Sequence, residues 1–259
     1  FKICSNKKFI CEKWLAKCQK WKKNYPIVKR EFYRQKKFVN PYVFIHELSK
    51  QLPKNSIAIA DDGGHLTWAI QAFKVKKGQK LFSAFGNSPM GYAFPASIGA
   101  SIVTKKGKIV CIDGDGSIQI NIQELQTVAT NRLPIKIIIF NNNGYGIIKQ
   151  FQELYLGRRY EASGKGVTNP NFEKVSKAYG INYHRIINHK NLNKILRKVL
   201  RSNRAEFLEV MLNSKQKIIP KLQFGNPIED LSPLLPRNEF YNNMLVPLVD
   251  RSKKIFEAN

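Results

Sequence analysis

The sequence predicts a doubly wound α/β domain, a parallel sheet with helices on both faces. Two observations carry this. Short apolar runs alternate with helix-periodic stretches from position 57 to 211, and two Gly-, Asp- and Asn-rich loops stand at the ends of two of those runs. Residues 1–38 form a charged, helix-prone lead-in. Asn40-Pro41 then reads as an N-cap followed by proline at the first helical position, starting a helix that runs through Leu48. After it come a strand at 57–60 and a helix at 66–73, a strand at 80–83 and a helix at 91–103, then a strand at 109–112 and a helix at 122–130. The pattern continues with a strand at 135–140, helices at 147–154 and 172–179, a strand at 183–187, a helix at 192–200 and a strand at 206–211. The domain therefore spans 39–215. Pro220, Pro227, Pro233 and Pro236 punctuate 216–259, which is expected to wrap over the surface as a tail. No internal repeat is present.

At 259 residues, 43% of them apolar, the chain is long enough for one large core with appendages. No run approaches the ~20 apolar residues of a membrane span, so a soluble protein with no membrane partner is expected. The formal net charge of +26 raises a basic nucleic-acid-binding protein as the non-enzymatic alternative, whose binding would be strongly salt-dependent. Only the first 40 residues form a basic block, however, and elsewhere the charge is spread thinly; the expectation is no nucleic acid. Cys4, Cys11 and Cys18 recur at seven-residue steps, a helix-face spacing and not the spacing of zinc ligands. Cys111 lies in an apolar run as a buried thiol. Without a signal peptide or a disulfide framework, a reducing cytoplasm is the expected compartment. The chain begins with Phe1 and not Met, which points to a piece of a longer protein.

The chemistry concentrates in the two loops. In open α/β sheets, ligands bind at the carboxyl ends of strands, where loop amides and helix N-termini face an anion. One strand runs into Asp113-Gly114-Asp115-Gly116-Ser117 and another into Asn141-Asn142-Asn143-Gly144-Tyr145-Gly146. Gly114 and Gly116 let the backbone around Asp115 approach a diphosphate closely, and Ser117 is expected to open a helix whose free amides favour phosphate. Mg²⁺ takes hard oxygen ligands in octahedral geometry. Asp115 and Asn142 offer a side-chain pair for it, and the carbonyl of Gly144 a third protein oxygen. Asp113, Asp115, Ser117 and Glu124 also fall at positions of a calcium-loop pattern, but Ile118 stands where that loop needs Gly and a strand precedes it in place of a helix. The remaining alternative is a Gly-rich turn without a ligand.

A Gly-Asp-Gly followed after 24 intervening residues by Asn141-Asn142 resembles the signature of thiamine-diphosphate enzymes. Gly-Asp-Gly alone arises by chance in roughly one chain in fifteen, and with the Asn pair in on the order of one in a thousand. From about Trp14 to Met211 the chain resembles the C-terminal, diphosphate-binding domain of the acetolactate synthase family, which implies the thiamine-diphosphate-binding version of the doubly wound fold. The resemblance implies cofactor contacts at Gly63, Gly64 and His65, within Asp61-Asp62-Gly63-Gly64-His65-Leu66-Thr67-Trp68. It implies others at Ser88 and Met90, within Gly86-Asn87-Ser88-Pro89-Met90-Gly91. Gly114, Gly116, Ser117, Tyr145, Gly146 and Ile147 complete the set, with Asp115, Asn142 and Gly144 as metal ligands. Met90 would be the wedge between the cofactor's two rings, bringing the pyrimidine amine against the thiazolium carbon.

Gln123, Glu124 and Leu125 continue the family's helix after the metal loop, and Gln150-Phe151-Gln152-Glu153 matches the helix after Gly146. Two departures stand out: Gly64 where many acetolactate synthases have Gln, and Phe151 where they have Trp. The second position lines the entry for the acceptor substrate. The implied activity is thiamine-diphosphate- and Mg²⁺-dependent decarboxylation of pyruvate or another 2-oxo acid with carboligation. The alternatives are acyl-anion transfer to a keto-sugar in polysaccharide synthesis and simple 2-oxo acid decarboxylation. The resemblance further implies an N-terminal pyrimidine-binding domain, a homodimer or homotetramer, and an activating glutamate contributed by a neighbouring subunit. It assigns any FAD to a preceding domain. The chain alone is expected to be catalytically silent.

Overall fold

The computed structural model describes residues 11–104, 107–164 and 166–252. The lead-in holds α1 (Glu12–Asn24) and a 3-10 turn at Arg30–Arg34 before α2 (Pro41–Gln51). The alternating part comprises β1 (Ile57–Ala60), α3 (Gly64–Ala72), β2 (Lys80–Phe82), α4 (Ala93–Val103), β3 (Ile109–Gly114), a 3-10 segment at Ser117–Glu124, α5 (Leu125–Thr130) and β4 (Lys136–Asn141). It continues with α6 (Gly146–Tyr155), α7 (Phe172–Ala178), β5 (Asn182–Ile186), α8 (Leu192–Arg201) and β6 (Glu206–Met211), and α9 (Arg237–Asn243) lies in the tail. The six strands form one all-parallel sheet in the order β2-β1-β3-β4-β6-β5.

Every residue of β3, β4 and β6 is buried, and apolar residues dominate all three, although β6 also buries Glu206 and Glu209, which bond to His184 and Asn141. Side chains alternate between two cores. Ala58, Val110, Ile112, Ile138, Phe140 and Leu208 pack beneath α2, α3 and α8. Ile59, Cys111, Ile137, Ile139 and Phe207 pack beneath α4, α5 and α7. Asn40 caps α2 as its sequence position predicts, its side-chain oxygen accepting from the Tyr42 and Val43 amides at 3.0 and 3.5 Å.

Three expectations change on inspection. The helix at 122–130 is the end of a 3-10 segment from Ser117, with non-helical backbone at Asn121 (φ −128°), followed by the short α5; Asn121 Nδ2 donates to the Gly91 carbonyl at 2.5 Å. The seven-residue cysteine face does not pack: α1 buries no residue, Cys11 is exposed ahead of it and Cys18 is half-buried, while Cys4 lies outside the described residues. Cys111 is buried as expected. The stretch after Met211 is anchored to the domain more tightly than its prolines suggest. Gln150 accepts from the Ile218 amide and donates to its carbonyl, Tyr42 Oη donates to the Ile219 carbonyl at 2.7 Å, and Gln71 donates to the Pro220 carbonyl at 2.8 Å. Further along, α9 meets the lead-in, where Trp21 Nε1 donates to Asn243 Oδ1 at 2.6 Å. No helix among the described residues is long and apolar enough to cross a membrane.

Candidate active site at the strand-order switch

The chain passes from β1 outward to β2, then returns across β1 to β3. The strand order reverses between β1 and β3, and the carboxyl-end crevice of such a reversal is where doubly wound sheets bind ligands. A cavity of ≈ 240 Å³ lies there. From the loops after β1 and β2 it is lined by Gly63, Gly64, His65, Ser88 and Met90. From the loops after β3 and β4 come Gly114, Asp115, Gly116, Ser117, Asn142, Gly144, Tyr145, Gly146 and Ile147. All the residues expected at the cofactor and metal thus share one cavity, together with Asp62, Trp68, Phe140 and Ile148, which the sequence did not single out. Phe151 stands apart. It lines a neighbouring cavity with Tyr155 and Phe224, and Ile147 borders both.

Asp115 is 2% exposed and fully engaged: Oδ2 accepts from Asn169 Nδ2 at 2.7 Å and from the Gly144 amide at 3.1 Å, and Oδ1 from the Gly116 amide at 3.1 Å. Burial raises its pKa, and the bonds from Asn169, Gly144 and Gly116 oppose that rise. Gly144 therefore meets Asp115 through its N–H, while its carbonyl accepts from the Gly146 amide at 3.1 Å. Ser117 departs from expectation as well. It opens a 3-10 segment and not an α-helix, and its hydroxyl donates to Asp113 Oδ1. The buried Asp113 carboxylate captures the group that was expected to start a phosphate-facing helix.

Two glycines show how closely this backbone is packed. A Cβ on Gly116 would lie 2.3 Å from the Tyr145 ring, so only glycine lets the aspartate loop and the asparagine loop meet. A Cβ on Gly64 would lie 3.0 Å from the Trp68 ring, so the buried indole, 3% exposed, leaves little space for a side chain there.

His65 is 6% exposed, and burial drives its pKa down to about 3 against a weaker upward pull from the Asp61 backbone carbonyl, so the ring is neutral at ordinary pH. Its Nε2 has no hydrogen-bond partner, an orphaned polar atom in a ring that lines the cavity. Such an atom calls for a polar ligand. Asp61, His65 and Asp113 present ligand-type atoms within 4.8 Å of one another, but a metal is not what this cluster is built for. Both Asp61 oxygens already accept backbone amides, from Gly91 and Ala93. Asp113 is pushed well above the usual carboxylate range, by burial first and by the charge of Asp61 second. Burial and the neighbouring Asp61 charge both disfavour the ionised form of Asp113, which makes it a poor cation ligand.

The sequence reading missed Asn169, 54 residues from Asp115 in the loop between α6 and α7. It also gave no role to the paired Asp61 and Asp62. The buried Asp115 and Asn142 side chains, in a cavity lined by glycines, small polar groups and a few apolar side chains, suit an anionic cofactor, and comparison with known proteins identifies which. The chain belongs to the thiamine pyrophosphate enzymes: residues 61–210 match the family described as "Thiamine pyrophosphate enzyme, C-terminal TPP binding domain". It is 34% identical over 212 residues to the acetolactate synthase large subunit of Cyanidium caldarium, covering 82% of this chain and 35% of that protein. It is 32% identical to the mitochondrial acetolactate synthase of Schizosaccharomyces pombe (83% of this chain, 32% of that one). To the acetolactate synthase isozyme 2 large subunit of Escherichia coli it is 30% identical (71% and 33%). The chain thus spans about a third of the length of these curated relatives.

Proposed function

We propose that this chain is the diphosphate-gripping part of an acetolactate synthase-like carboligase acting on pyruvate or a related 2-oxo acid. The single observation that carries the reading is the convergence of Asp115, Asn142 and His65 on one cavity at the β1/β3 switch, in a chain of the thiamine pyrophosphate family. The donor set fits Mg²⁺-diphosphate. Asp115 and Asn142 bring buried hard-oxygen donors to the same cavity, and the Gly144 carbonyl retains a lone pair for a third. The orphaned His65 Nε2 and the small residues along the wall leave room and polarity for phosphate oxygens. When bound, thiamine diphosphate would supply the carbanion chemistry that releases CO₂ from a 2-oxo acid and passes the acyl unit to a carbonyl acceptor.

The chain's own residues do the holding. Asp115 and Asn142 fix the metal end, and the Gly114–Gly116 backbone allows close approach. Met90, 39% exposed, offers an apolar side chain to the ring end, and Trp68 and Phe140 close the cavity against water. Among the described residues, neither glutamate that follows the metal loops fits the role of activating acid. Glu124 accepts from Thr127 Oγ1 at 2.7 Å and Glu153 pairs with Lys217 at 2.7 Å, and neither lines the cavity. On this reading the activating glutamate is supplied, as the family resemblance implies, by a separate pyrimidine-binding domain in a dimer or tetramer. The test is an assay of the 259-residue chain with pyruvate, Mg²⁺ and thiamine diphosphate, with and without such a domain from a relative. The reading expects acetolactate only in its presence; robust decarboxylation by the chain alone contradicts it.

A further inference from the structure

Met90 is an apolar side chain exposed to a cavity, yet its backbone is held at both ends by two adjacent aspartates from the end of β1. On its N-terminal side, Ser88 adopts a left-handed conformation (φ 47°), its amide donates to the Ala84 carbonyl at 2.8 Å, and its hydroxyl donates to Asp62 Oδ1 at 2.7 Å. On its C-terminal side, the Gly91 amide donates to Asp61 Oδ2 at 2.8 Å and the Ala93 amide to Asp61 Oδ1 at 2.7 Å. The Gly91 carbonyl is held in turn by Asn121. Residues in sparsely populated backbone conformations persist only where their surroundings over-determine them. Here Ser88 and Gly91 (φ 86°) bracket Met90, and carboxylate hydrogen bonds, about twice as strong as neutral ones, secure both brackets.

A packing residue would not need this. Met90 is 39% exposed and belongs to neither hydrophobic core, so the pins do not serve burial. Asp61 is fully buried, which is costly unless its oxygens are hydrogen-bonded, and both of them accept amides of this segment.

We propose that Asp61 and Asp62 are positioning residues that clamp the Met90 segment against the cavity, so that the side chain stands as a fixed support for the ring end of the cofactor. The clamp rests on the thiamine-diphosphate reading for its ligand, but not for its geometry. It makes the loop after β1 serve two ends of one ligand: His65 and the glycines face the diphosphate, and the two aspartates aim the wedge. Replacing Asp61 by Asn keeps the size but leaves one oxygen for two amide donors and turns an NH₂ group toward the other.

The test separates the ring end from the diphosphate end. In the 259-residue chain, calorimetry measures Mg²⁺-dependent affinity for whole thiamine diphosphate and for inorganic pyrophosphate, which has no rings, in the wild type, Asp61→Asn and Asp62→Asn. Amide exchange at Gly91 and Ala93 is followed without ligand. The clamp predicts a tenfold or greater loss of affinity for the whole cofactor, pyrophosphate affinity within twofold of wild type, and at least tenfold faster exchange at both amides in Asp61→Asn. Equal weakening of both ligands would make the aspartates merely structural, and unchanged exchange would overturn the clamp outright. Should Asp61→Asn not fold, Asp62→Asn, at a half-exposed position, gives the same ligand split alone. Failure of the wild type to bind either ligand would sink the functional reading while the exchange result still decides the clamp.

Discussion

Asn169 donates a hydrogen bond of 2.7 Å to Asp115 Oδ2, joining the loop before α7 to the carboxylate at the centre of the site. Its own Oδ1 accepts from Gln119 Nε2 at 3.1 Å, and Gln119 also donates to the Asp115 carbonyl at 2.8 Å. Asn169 thus fixes the rotamer of the proposed metal ligand from outside the ligand set. Outer partners of this kind typically contribute about 10- to 100-fold to metal affinity. Asn169→Ala is accordingly expected to weaken Mg²⁺-dependent cofactor binding by about that factor, with the far-ultraviolet dichroism unchanged. Calorimetric titration checks it; unaltered affinity would mean that Asp115 needs no external orientation.

His65 yields a prediction in pH. Its folded pKa of about 3 lies below the ordinary value of 6.5, so the unfolded chain binds the proton more readily. The stability linked to this residue is fully present above about pH 6.5 and is lost as pH falls toward 3. At one and a half units below 6.5 the loss is ~2 kcal/mol, from the usual 1.36 kcal/mol per unit. The difference in urea unfolding free energy between wild type and His65→Asn should therefore shift by about that amount between pH 7 and pH 5. A pH-independent difference would place the ring in water.

Phe151 tests the acceptor. Its ring packs against Tyr155 at 4.9 Å and against Phe224 at 5.7 Å, in the cavity that shares Ile147 with the cofactor site. Phe151→Trp enlarges one wall of that cavity without touching the diphosphate end. In the assembled enzyme, the ratio of products from pyruvate with competing acceptors should change while cofactor affinity does not. An unmoved ratio with surviving turnover would leave Phe151 as packing.

What the sequence disclosed follows from how local each signal is. β1 was legible to the residue because its four residues are an unbroken apolar run, and β6 because its apolar residues outweigh Glu206 and Glu209; the aspartate and asparagine loops were legible because glycine and amide residues at strand ends have few structural uses. The break at Asn121 was not legible, since the Gly91 carbonyl that its side chain meets belongs to another part of the chain. Nor was Asn169, whose partner is 54 residues away. Asp61 and Asp62 were given no role in the sequence reading, and only the fold reveals that Asp61 is fully buried and bonded to the loop after β2. The helix in the tail escaped notice because its prolines outweighed a seven-residue pattern, and the cysteine spacing misled because α1 has no face to bury.

The central claim is that Asp115 and Asn142 hold the metal through which the diphosphate is gripped. Calorimetric titration of thiamine diphosphate into the 259-residue chain, with Mg²⁺ and with a chelator, tests it in wild type, Asp115→Ala and Asn142→Ala. The account predicts Mg²⁺-dependent binding in the wild type and its loss in both variants, because each removes an inner oxygen ligand. Undiminished Mg²⁺-dependent affinity in both variants would contradict it and place the metal elsewhere.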